Sequence, residues 1–146
     1  MIVTRIFQEL PRLLVTVRPI RSYVWSLQTE QVFRDPSAWY HIVIAIDTTD
    51  STASDRVKIY VNGDRVTTFA TTPTYPALNL DTYTNNTVPH THGASPYNSL
   101  YLNGYISEIN FIDGQALDAS YFGETKTDTW IPKKYAGSYG TNGYYL

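Results

Sequence analysis

The residues with chemistry to offer are concentrated in "WYHIVIAIDTTDSTASDRVKIYVNGDRV", residues 39–66, where His41, Asp47, Asp55 and Arg56 fall within one stretch. An imidazole beside carboxylates can move protons, but catalysis also needs a nucleophile or an oriented partner in reach. The chain has no cysteine, and no Gly-x-Ser-x-Gly turn presents a serine. His41, flanked by Trp39 and Tyr40, therefore reads as a partly buried ring among aromatics, and no catalytic residue is assigned. "HTH" at residues 90–92 puts two imidazoles on one side of an extended segment, and with Asp81 they would make a partial transition-metal set; two ligands fall short of a site. Asp47, Asp50 and Asp55 offer the hard oxygen donors that calcium takes, without the Asp-x-Asp-x-Asp-Gly spacing of a helix-loop-helix site. No metal centre or other cofactor is assigned, with calcium as the alternative.

Glu108 and Asp113 lie on and just after one segment, "EINFID", and glycoside hydrolysis needs paired carboxylates. Here an amide, Asn110, stands between them where a further acid would complete the set. Exposed aromatics with amides nearby are the more general sugar-binding device, since pyranose faces stack on flat rings while amides bond the hydroxyls. Tyr75, Asn79, Tyr83, Asn85 and Asn86 supply both parts in residues 71–96, a segment rich in Thr, Asn, Pro and Tyr. These five are the candidate ligand-binding residues.

The elements that must position them read as strands. From Trp39 to Asp47, alternation sets Trp39, His41, Val43 and Ala45 on one face and Tyr40, Ile42, Ile44 and Ile46 on the other. Both faces are apolar, as in an interior strand covered above and below. "RVKIYV" alternates Val57, Ile59 and Val61 with Arg56, Lys58 and Tyr60, and Asn62-Gly63 is the strongest short hairpin signal, with "RVTTFA" returning. "RLLVTVR", "YVWSL" and "QVF" read as short strands, and residues 71–96 as a loop system. "YISEINF" alternates Tyr105, Ser107, Ile109 and Phe111, with Gly104 marking a bulge or a close backbone approach. One short helix is expected near residues 118–123, capped by Asp118 and ended by Gly123. "WIPKKYAGSYGTNGYYL" is punctuated by turns with aromatics between them.

At 146 residues the chain is long enough for one domain with its own core. Aromatic residues make up 14% and charged residues only 16%, which suits half-buried strands and argues against disorder. Up to Arg34, five arginines against two glutamates give +3, leaving −5 of the net −2 for the remainder. That basic stretch is too sparse for a nucleic-acid surface. No apolar run approaches a membrane span, and Arg5, Glu9, Pro11 and Arg12 interrupt any leader-like segment. Residues 1–22 read as a basic N-terminal arm or short strand.

"AWYHIVIAID", "VKIYVNGDRV" and "LNGYISEINFIDGQALDASYFGE" resemble the strands of laminin G-like, concanavalin A-like modules, with their W-x-H strand, "YVNG" hairpin and "NGYISE" strand followed by a short helix. The resemblance covers residues 23–146. It is greater still to sandwich modules of bacteriophage and viral structural proteins, carried by "FRDPSAWYHIV", "NFIDGQAL" and "GTNGYYL". It implies an all-β, antiparallel jelly-roll sandwich in a virion, non-enzymatic, as a capsid decoration or tail-fibre component. Its partners would be other virion proteins or copies of itself, with neither nucleic acid nor membrane bound. A carbohydrate-binding, lectin-like module directed at host-surface glycans is the alternative. Fewer residues precede the W-x-H strand than in that family, so the first half of the sandwich is expected to be short, with a neighbouring chain covering its edges.

Overall fold

The structure, a computed structural model, describes residues 2–7, 12–17, 25–35, 37–82, 84, 87, 89–94 and 101–146. The strands are β1 (Ile2–Phe7), β2 (Leu14–Val17), β3 (Trp25–Gln28), β4 (Trp39–Ile46), β5 (Val57–Val61), β6 (Asp64–Arg65), β7 (Tyr105–Phe111), β8 (Gly123–Lys126), β9 (Thr129–Pro132) and β10 (Tyr144–Tyr145). Six of them form one antiparallel sheet in the order β10-β7-β1-β4-β5-β6. The others make two hairpins, β2-β3 and β8-β9.

β4 explains this layering. Its Ile42, Ile44 and Ile46 lie opposite Val61, Ile59 and Val57 of β5, and this face packs on Val15, Trp25, Leu27 and Phe33 from the β2-β3 side. Its Val43 and Ala45 face the other way, into a cluster with Ile112, Ala119, Phe122 and Tyr135 that Trp130 of β9 closes. A strand apolar on both faces is stable only where both are covered, and here one hairpin sits on each side. The structure is an all-β antiparallel sandwich with almost no helix.

Several local expectations change. "QVF" makes only a lone bridge at Phe33, and "RVTTFA" joins the main sheet through Arg65, the second residue of β6, before crossing to bridge Thr29 at Phe69. The opening segment contains two strands, and β1 lies inside the main sheet between β4 and β7. The aromatic tail beyond residue 122 holds three strands. Asp118 does cap a turn, accepting from the Ser120 N–H at 2.8 Å, but the turn is 3-10, Ala119–Tyr121. Gly123 opens β8 instead of ending the helix in the left-handed region.

The bulge of β7 is at Glu108, not Gly104. Val3 of β1 pairs with Asn110 while Arg5 pairs with Ser107, so β7 carries one extra residue, and Glu108 takes φ 56°. The extra residue swaps the faces beyond it. Asn110 shares the face of Val43 and gives its side-chain oxygen to the Tyr139 hydroxyl at 2.8 Å, while Phe111, level with Ile2 and Ile44, turns to the opposite face. Tyr105, Ser107, Ile109 and Phe111 therefore do not form one face.

Candidate functional site

The residues of the opening stretch are framework. His41 is buried, and its backbone N–H and C=O both bond Asn62, at 2.9 Å to the side-chain oxygen and 2.9 Å from the backbone N–H. Asn62 and Gly63 take φ 49° and 91°, as a two-residue hairpin turn requires. Trp130 lies on this turn: its Nε1 donates to His41 Nδ1 at 3.1 Å, which assigns the imidazole proton to Nε2. A Cβ on Gly63 or on Gly123 would run into the indole. His41 thus anchors the β8-β9 hairpin to the main sheet.

The polar loop after β4 is held by its own acids. Asp47 Oδ1 accepts from the Thr49 N–H at 2.9 Å and the Thr49 hydroxyl at 2.6 Å, and Asp50 accepts from the Thr52 N–H at 2.8 Å. The Thr49 bonds hold the Asp47 carboxyl below its usual range. Asp55 pairs with Arg65 at 2.6 Å. Arg56 spans the loop, donating to the carbonyls of Asp50, Ser51 and, at 2.9 Å, Pro76. Among the described residues no three His, Asp or Glu side chains converge as a metal site.

His90 and His92 each lie against an aromatic ring. His90 lies 5.5 Å from the Phe111 ring, and Phe111 stacks on Tyr144 at 5.2 Å. His92 Nε2 and the Tyr144 hydroxyl are 2.7 Å apart. Burial first, and then the neighbouring His90, lower the His92 pKa, while burial raises that of Tyr144.

A cleft of about 480 Å³ opens where the loops following β4 and β7 meet Leu80, Thr82 and Thr84. Its walls carry the carboxylates of Asp47 and Asp113, the side chains of Thr49 and Gln115, and the paired hydroxyls of Thr82 and Thr84. Ile46, Leu80, Phe111 and Ile112 add apolar surface to it. Asp113 is fixed by the tail, since its Oδ2 accepts from Asn142 through the backbone N–H at 3.2 Å and Nδ2 at 3.0 Å. Its own N–H donates to the Tyr139 carbonyl at 2.9 Å, and Gly140 beside it, at φ 80°, leaves no room for a Cβ against the Asp113 carbonyl. Polar surface exceeds apolar on its walls, so a ligand held there would be met mainly by hydrogen bonds.

A laminin G profile of the concanavalin A-like lectin/glucanases superfamily matches residues 17–120. The chain belongs to this superfamily. No curated protein and no solved structure matches the chain. In this concanavalin A-like module, the matched stretch runs from the last residue of β2 past β7 into the Asp118 turn, while β1, most of β2, β8, β9 and β10 fall outside it.

Of the five candidate ligand-binding residues, Tyr75 is half-buried against the Trp25, Leu27 and Ile59 cluster, so its ring contributes to packing. Asn79 is exposed at φ 58°, with its N–H on the carbonyl of Thr48 at 2.8 Å, and Thr48 and the adjacent Leu80 both line the cleft. Tyr83, Asn85 and Asn86 lie outside the described residues. Of the carboxylate pair, the cleft takes Asp113 and not Glu108. Sequence reasoning missed Trp130, the cleft threonines and Gln115; the aspartates themselves were visible, but their convergence from β4 and β7 was not.

Proposed function

We propose that this module is a non-enzymatic structural component of a phage or virus particle, a capsid decoration or tail-fibre unit acting through contacts with other virion proteins or with copies of itself. The likeness of "FRDPSAWYHIV", "NFIDGQAL" and "GTNGYYL" to viral structural modules supports the setting. The observation that carries the mode of action is the difference between the two edges of the main sheet. β6 presents Asp64 and Arg65, charges that discourage strand pairing. The β10 edge presents Tyr145 at 56% and Leu146 at 67% exposure, with Tyr105 exposed on the adjacent strand. Association through one edge only gives a directed contact. Sedimentation of native material is expected to find the chain in a large particle, and Tyr145→Asp with Leu146→Asp to release it. A free monomer as the native form would overturn this reading.

The cleft favours a second reading, a carbohydrate-binding module that engages host-surface glycans. Its support is the combination of hydroxyls, an amide and carboxylates over Phe111 and Leu80. Binding on a glycan array tests it.

A further inference from the structure

Resting on the first reading, we propose that His90 and His92 form an acid-released clasp on β10, so that the edge carrying Tyr145 and Leu146 is presented near neutral pH and withdrawn in mild acid. β10 is two residues long and ends the main sheet. It pairs with β7 at Phe111 and Asn110, and Ile109 and Leu146 exchange backbone bonds of 2.9 Å in both directions. So short an edge strand opens locally at little cost, and contacts outside the ladder decide how long it stays closed. The side chains that reach Tyr144 form a chain of four rings. His90 lies 5.5 Å from Phe111, Phe111 stacks on Tyr144 at 5.2 Å, and His92 meets Tyr144 edge-on at 5.9 Å with Nε2 2.7 Å from the hydroxyl. The segment that carries both imidazoles is itself anchored, by the Leu102 N–H on the Gly93 carbonyl at 2.7 Å and by the bridge of Ala94 to Tyr101. The rings thus tie β10 to a fixed support.

Imidazole is the group whose charge changes between neutrality and mild acid. While His92 is neutral, a single proton serves its bond with Tyr144. Once ionised, the ring must donate, the hydroxyl proton has to turn elsewhere, and a charge sits partly buried two residues from a second imidazole. The titratable groups that face His92 are Tyr144 from β10 and His90 from its own segment. Tyr144 stays neutral in this range. Burial and then His90 both act against the charge on His92, and no carboxylate among the described residues offsets them. Opening β10 returns His92 to water and relieves this. His92 therefore lies below its ordinary 6.5 in the closed form and regains it in the open one. Closure is complete above about pH 6.5 and weakens as pH falls towards the lowered value, up to about tenfold for each pH unit between the two.

The test measures amide protection factors of Ile109 and Leu146 in the full chain at pH 7 and pH 5.5, beside His92→Gln and the double variant His90→Gln with His92→Gln. Melts at pH 7 verify the fold, and His92→Asn replaces a glutamine variant that fails. Native particles are sedimented at both pH values. Protection at Ile109 and Leu146 is expected to fall severalfold at pH 5.5 while β4 and β5 hold, the double variant to show equal protection at both pH values, and the chain to leave the particle in acid. Protection independent of pH, an equal fall in the double variant, or particles that keep the chain at pH 5.5 would overturn the inference while leaving association standing. A free monomer at pH 7 would overturn the first reading, and with it the presented edge, whatever the exchange data show of the clasp.

Discussion

At the residue scale, side chains that look reactive in the sequence are spent on holding the fold. His41 accepts from Trp130, Asp55 neutralises Arg65, and His92 meets Tyr144. The last contact has a pH consequence. The folded protein holds His92 below its ordinary 6.5, through burial and then through His90, so between the two values the unfolded chain binds more protons than the folded one. Stability from this source is complete above about pH 6.5 and declines as pH falls towards the lowered value. Urea midpoints are expected to drop between pH 7 and pH 5.5, and His92→Gln to flatten that slope. A slope unchanged by the substitution would place the effect elsewhere. Tyr144 and His90 are the titratable neighbours of His92 here, and Tyr144, held above its ordinary 10.0, stays neutral throughout this range.

At the element scale, the β8-β9 hairpin depends on one residue. Its strands are four residues each and largely exposed, too short to stand alone, and Trp130 supplies the contact with Gly63, Gly123 and His41. Trp130→Ala is expected to cost about 3 kcal/mol, the lower end for loss of a large aromatic because the ring is half-buried. Hydrogen exchange gives the discriminating pattern. Amides of β8 and β9 should exchange early while β4 and β5 stay protected; uniform loss of protection would show that the hairpin is part of the global core instead. The Glu108 bulge is a second device at this scale. By adding one residue to β7 it turns Phe111 from the Val43 face to the side where His90, Tyr144 and the cleft lie.

At the scale of the whole molecule, the main sheet is closed by pairings between distant parts of the chain, β1 with both β4 and β7. Such topology folds slowly, because loop-closure entropy is lost before the contacts form. It also makes β1 indispensable. Arg5 pairs with His41 on one side and Ser107 on the other, and Arg5→Pro would break a ladder bond inside the sheet. Loss of about 1–3 kcal/mol is expected for the backbone group left unpaired, read as a lowered midpoint of the cooperative thermal transition. A transition that survives unchanged would mean that the sheet holds without this strand.

The sequence by itself determined what is local. Alternation over Trp39–Ile46 revealed a strand covered on both faces, Asn62-Gly63 revealed its hairpin, and Asp118 its capped turn. These signals are legible because side-chain period and turn dihedrals are set by adjacent residues. Tertiary structure decided what depends on distant partners. β1 and the β8-β9 hairpin carry weak local patterns and become strands through the neighbours they pair with or cover. The bulge at Glu108 has no glycine to announce it, since its left-handed backbone follows from the pairing with β1. The cleft is the same case: Asp47 and Asp113 stand far apart in sequence, and only the sheet that carries β4 and β7 brings their loops to one rim.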